Sequence, residues 1–234
     1  MRFKIIVVEP ARSWLHGLRQ HDRDTLLQVT AAINVLQIEG PALGRPLVDR
    51  ITGSALANLK ELRPGSSGSS EVRILFVFDP ARNAVILVGG DKSGSWSGWY
   101  RTAIKAAEDA YEAYRDAKKR GAVSAERKAA DAVDWDDLKG EFGLSEGETH
   151  EVDRRAALLL SEVRAHRLAE VRKRQQMTQA AVAKVLGVTQ GRVSAIEKGA
   201  INRSEVETLA AYVAALGGQL KLVADFGDET LVLG

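Results

Sequence analysis

Two groups of residues in this 234-residue chain have types and spacing that could do chemistry on a nucleic acid. The first lies in "LKELR", "VRILFVFD" and "GDKSG", which carry Lys60, Glu61, Arg63, Arg73 and Lys92. Metal-independent RNA cleavage needs a base for the 2′-OH, cations for the phosphorane and an acid for the leaving 5′-oxygen. Strand alternation puts Glu61 and Arg63 on one face. Val72, Ile74, Phe76 and Phe78 read as the apolar face of the next strand, so Arg73 is expected on the other. Arg63 and Arg73 can then meet one phosphate, with Lys92 just past the last strand. Lys60 and Tyr100 are further proton carriers, and Trp96 or Trp99 could stack on a base. Plainer readings stand beside these. Glu61–Arg63 is also a simple surface ion pair, Arg73 can cover apolar surface with its stem, and Trp99 and Tyr100 can be core.

The second group is "QAAVAKVLGVTQGRVSAIEK", from Gln179. Val182, Ala183 and Leu186 give a first helix its inner face. Gly187 takes the turn, Val188 plugs the corner, Thr189 caps a second helix, and Val193 and Ile196 bury it. The outer face carries Gln190, Gly191, Arg192, Ser194 and Lys198, types that read base edges in a major groove. Thr178 and Gln179 open the preceding helix, where a phosphate can be met. A helical hairpin used only for packing is the alternative.

Elements must hold these groups. "RFKIIVVE" reads as a strand, Trp14–Leu18 and Thr25–Ile38 as helices, and Ala57–Arg63, Glu71–Asp79 and Asn83–Gly90 as strands. A closing helix spans 102–119. Together they make an α+β domain, a helix pair, an antiparallel sheet and a closing helix, over residues 1–119. Residues 120–152 read as a linker and acidic segment, with Arg120–Ala132 as the linker proper. Residues 153–234 read as all-α with a terminal strand.

Charge is segregated along the chain: +5 over residues 1–120, −7 over 121–153 and +4 over 154–234. Basic blocks on either side of an acidic one suggest polyanion partners. There is no cysteine, which excludes disulfides and thiolate chemistry, and the four histidines show no metal-ligand spacing. No cofactor and no metal is expected. No apolar run reaches the ~20 residues that span a bilayer. The N-terminal text reads as a first strand rather than a signal peptide, so a cytoplasmic location is expected.

The first half resembles the HigB-like branch of the RelE/ParE superfamily, through "LKELR", "VRILFVFD", "GDKSG" and the closing helix. Residues 167–226 resemble a Cro/repressor-type domain, more narrowly the HigA-type antitoxins. These resemblances imply a fused toxin–antitoxin protein. Its first domain would be an mRNA endoribonuclease acting on the ribosome when released, and its second an operator-binding, homodimeric repressor. The terminal strand and the helix Glu205–Leu216 would form the dimer surface. Some relatives use His and Asp for catalysis, and no His lies within residues 22–149, so a Lys/Arg version is implied. Two other readings are open: a regulator with a non-catalytic RelE-like domain, and a ParE-like gyrase inhibitor.

The acidic stretch is not featureless. Trp135, Leu138 and Phe142 fall at i, i+3 and i+7, a short apolar stripe. They are expected to pack on the toxin-like domain while nearby acids neutralise its phosphate-binding cations. A free acidic spacer is the plainer alternative.

Overall fold

A computed structural model describes residues 2–65, 71–93, 96–123, 132–199, 204–226 and 229–233. The chain divides into two compact units, Met1–Leu159 and Leu160–Gly234. No described helix is long and apolar enough to cross a membrane.

The first unit is built on a six-stranded sheet. Its strands are β1 (Ile5–Val8), β2 (Val48–Arg50), β3 (Lys60–Leu62), β4 (Val72–Phe78), β5 (Ala84–Asp91) and β6 (Ala132–Asp134), in the order β2-β3-β4-β5-β1-β6. β1 runs parallel to β5 and every other pair is antiparallel. The central strand β4 is buried on both faces, Leu75 and Val77 as fully as Ile74 and Phe76. The single apolar face expected from the sequence is therefore half of the pattern. Leu75 and Val77 join Val85 and Leu87 beneath α3 (Trp96–Val123), which presents Ala103, Ala107, Ala110 and Tyr114. On β5 the ring of Trp14, from α1 (Ala11–His21), lies so close to Gly89 that a Cβ there would fall 2.1 Å from it.

α2 (Arg23–Glu39) is capped by Asp22, whose side chain accepts from the Thr25 amide at 3.1 Å. It is buried almost all round, from Thr25 through Gln37. A helix without a polar face needs partners on both sides. One side of α2 meets α1; the other meets the acidic segment. α4 (Trp135–Glu141) buries Trp135 and Leu138 completely, with Phe142 just after it. Leu144, Val152, Ala156 and Leu159, at and beyond the start of α5 (Glu146–Arg174), pack on Leu27 and Ala31. The expected linker is thus shorter than the sequence suggests. α3 continues to Val123 and β6 begins at Ala132; the intervening residues lie outside the described ones.

The second unit contains the end of α5, then α6 (Gln179–Leu186), α7 (Gln190–Glu197) and α8 (Val206–Ala215). A two-stranded ribbon follows, β7 (Val223–Asp225) with β8 (Thr230–Val232). Val182, Ala183, Val193, Ile196, Tyr212 and Leu216 form its core.

Candidate functional site

β3 and β4 pair with Glu61 opposite Leu75, which sets the Glu61 and Arg73 side chains on the α3 face of the sheet. Glu61 is 2% exposed. One of its oxygens accepts from Arg63 Nε at 2.7 Å, with Arg63 Nη2 in close contact as well. The other accepts from the Tyr100 hydroxyl at 2.5 Å and stands 3.8 Å from Arg73 Nε. That Arg73 nitrogen is buried with no hydrogen-bond partner. Lys92 Nζ lies 2.8 Å from Glu71 and 5.9 Å from the centre of the Tyr100 ring. Burial and the bond to Glu61 push the Tyr100 phenol up to about 12. Burial pulls Arg63 down, but Glu61 and Asp49 outweigh it and hold the guanidinium charged.

The sequence thus brings Glu61, Arg63, Arg73, Lys92 and Tyr100 together. Lys60 is not among them: alternation turns it to the opposite face, with its Nζ 5.9 Å from the centre of the Phe78 ring. Trp99, in the first turn of α3, packs against Tyr100 at 5.1 Å between ring centroids and directly over Gly90 of β5. The side chain of Trp96 lies outside the described residues. Asp49 and Glu71 are the members that sequence reasoning missed. Asp49 sits on β2, a strand of three residues, and bonds Arg63 at 2.9 Å.

The acidic segment does not reach this cluster, which corrects the expectation that its acids neutralise the phosphate-binding cations. β6 adds to the β1 edge, four strand spacings from β3, or about 19 Å. Its Trp135 Nε1 donates to Asn34 at 3.1 Å, and Gln37 donates to Asp136 at 2.9 Å. Glu141 lies near Arg12 and His16, and Asp134 near Lys4. Arg23 donates to Glu148 at 2.6 Å and to the Phe142 carbonyl at 3.0 Å. The physical reason is local supply. Arg63, Arg73 and Lys92 already face Glu61, Asp49 and Glu71, whereas α2 and the open β1 edge offered unmet apolar and backbone surface.

In the second unit, Thr178 caps α6 by accepting from Ala181 N at 3.0 Å, and Thr189 caps α7 by accepting from Arg192 N at 3.2 Å. Gly187 occupies the left-handed region, φ 66°, at the turn. Gln190 donates to Gln179 at 2.8 Å, and Gln179 donates to Glu197 at 2.8 Å. Glu197 also accepts from Arg172 at 2.6 Å and Tyr212 at 2.7 Å. Burial pushes Glu197 up, yet the bonds from Arg172, Gln179 and Tyr212 prevail and hold its carboxyl below the ordinary range. The two outward glutamines are therefore fixed from beneath by a buried ion pair. The sequence gives Glu197 only as the polar end of a helix. Gly191 and Lys198 are exposed at the surface of α7, with Arg192 and Ser194 partly so. A Cβ at Gly191 would meet only Thr189 Oγ1, at 3.8 Å, so packing does not require a glycine there.

Comparison with known proteins matches residues 14–112 to the family described as Phage derived protein Gp49-like (DUF891), and residues 143–225 to a Helix-turn-helix domain family. Three proteins of Mycobacterium tuberculosis are similar. Toxin HigB2 is 58% identical over 104 residues, 44% of this chain and 50% of HigB2, so the chain spans half the length of that relative. Toxin HigB3 is 46% identical over 46% of this chain and 90% of its own. Antitoxin HigA3 is 45% identical over 44% of this chain and 95% of its own. The chain belongs to the HigB/HigA toxin–antitoxin family and carries a HigB-like domain followed by a HigA-like domain on one polypeptide.

Proposed function

We propose that the first unit cleaves mRNA at the translating ribosome and that the second binds operator DNA as a dimer, the toxin being silent while the two are joined. The observation that carries the nuclease reading is the convergence of Glu61, Arg63, Arg73, Lys92 and Tyr100 on one face. An RNA phosphate entering there would take Arg63 and Arg73 from Glu61. Glu61 then accepts the 2′-OH proton, the 2′-oxygen attacks phosphorus, and the bond to the 5′-oxygen breaks. A phenol shifted to about 12 stays protonated at neutral pH, so Tyr100 supplies the proton that the 5′-oxygen takes. The products are a 2′,3′-cyclic phosphate and a 5′-hydroxyl. Lys92 and the arginines offset the phosphorane charge.

For DNA, Gln190 keeps its oxygen and one N–H for an adenine edge while Gln179 holds the other N–H, and Arg192 suits guanine. The α6 amides behind Thr178 suit a phosphate. Dimerisation is supported by the exposed apolar side chains of the β7–β8 ribbon, Val223, Phe226, Leu231, Val232 and Leu233. A lone two-stranded ribbon is marginal in water, and such a patch favours association. Silencing by covering the cations does not fit the ion pairs of the acidic segment. Exclusion from a confined ribosomal site by the bulk of the joined second unit does.

A non-catalytic regulator is the second reading, favoured by the carboxylates that already face Arg63, Arg73 and Lys92. Expressing the full chain, residues 1–159, and 1–159 with Arg73→Ala separates the two. Growth arrest by 1–159 alone supports the nuclease; harmlessness of all three leaves the regulator.

A further inference from the structure

At the opposite end of β4 from Arg73, a cleft of about 400 Å³ opens between the β4–β5 turn and the C-terminal half of α3. One wall is Pro80 and Ala81; the other is Tyr111 and Tyr114, whose rings stack at 6.1 Å and 25°. Arg115 and Lys118 lie 6.0 and 5.7 Å from the centres of those rings, and Lys119 completes the rim. The Asp79 carboxylate at the floor keeps its charge, which the Lys118 ammonium offsets. The Asp79 side chain is 1% exposed and accepts from Lys118 at 2.9 Å, Tyr114 at 3.2 Å and Asn83 at 3.1 Å. An apolar slot with an aromatic wall and a cationic rim matches a planar base joined to a phosphate. We propose that this cleft binds one nucleotide of single-stranded RNA, the base lying against Tyr111 and the phosphate on Arg115 and Lys119. Six residue steps along the extended chain, from Arg73 to Asp79, separate the cleft from the Arg73 cluster, about 20 Å. The cleft is therefore a second RNA contact, and its occupancy does not depend on nuclease activity.

The test uses the full chain and an RNA octamer carrying 4-thiouridine, photocrosslinked and mapped by peptide sequencing. Crosslinks are expected on the peptide holding Tyr111 and Tyr114, in the wild type and in Arg73→Ala alike. Tyr111→Ala should weaken octamer binding in Arg73→Ala by roughly tenfold, the scale of one base–aromatic stack, and Tyr111→Phe should restore it. Arg115→Glu with Lys119→Glu should reduce the salt dependence of binding. Thermal melting checks that each variant is folded. The proposal is overturned if no crosslink maps to the α3 peptide, or if Tyr111→Ala and the double charge reversal both bind as Arg73→Ala does. Intact mRNA in a translating extract given residues 1–159, with the α3 crosslink present in the full chain, would tell against the nuclease reading alone.

Discussion

Replacing Trp135 with Ala should unseat the acidic segment from the sheet. The side chain is 0% exposed, its ring meets Phe142 at 5.9 Å, and its Nε1 donates to Asn34 at 3.1 Å. A buried aromatic of this size hides about 200 Å², worth about 5 kcal/mol at ~25 cal/mol/Å², an upper figure because the unfolded chain is partly compact. The indole bond to Asn34 contributes about 1 kcal/mol more. Truncations of this kind cost about 3–5 kcal/mol, so about 4 kcal/mol is expected. For a unit of this size that lowers Tm by roughly 8–16 °C. Calorimetry of the full chain should show the transition of the first unit falling by that amount while that of the second stays in place. Trp135→Phe should fall by less than half as much, and Asp137→Ala, on the exposed face of α4, by almost nothing. If Trp135→Ala moves the transition by less than about 2 °C, the segment is a free spacer and the reasoning from α2's second buried face fails.

Other outcomes follow from the same contacts. Glu197→Ala leaves Arg172 buried without its carboxylate and should cost the second unit about 3–5 kcal/mol, read by urea unfolding. Gln190→Ala should weaken operator binding by roughly tenfold, within the ~1–3 kcal/mol of a base contact, with no change in Tm; anisotropy and melting together check this. Arg23 holds the Glu148 carboxyl down to about 2 from the ordinary 4.5. A depressed acid contributes stability above its unfolded pKa and loses it as pH falls through the folded one. The difference in Tm between wild type and Arg23→Gln should therefore be complete above pH 4.5 and shrink toward pH 2. A constant difference across that window would contradict the pairing.

Periodicity exposes β1, β4, β5, α3 and the helix-turn-helix because each carries enough residues to show its period. It hides β2, β6 and β8, which have three residues each and exist because a neighbouring edge receives them. The loss matters at the site: without β2 there is no Asp49 beside Arg63. The stripe of Trp135, Leu138 and Phe142 is legible, but its seat is not, since Arg23, Asn34 and Gln37 lie about a hundred residues upstream. One available signal was the absence of a polar face in "LLQVTAAINVLQI", which demands a second cover for α2. The Glu197 hub shows no pattern in one dimension, because Arg172, Gln179 and Tyr212 come from three different helices.

The most direct measurement is primer extension on mRNA from a translating extract given residues 1–159, the same fragment with Arg73→Ala, or the full chain. New 5′ ends within translated reading frames, dependent on translation, are expected with 1–159 only. Intact message with 1–159, or equal cleavage by the Arg73→Ala fragment, would contradict the account.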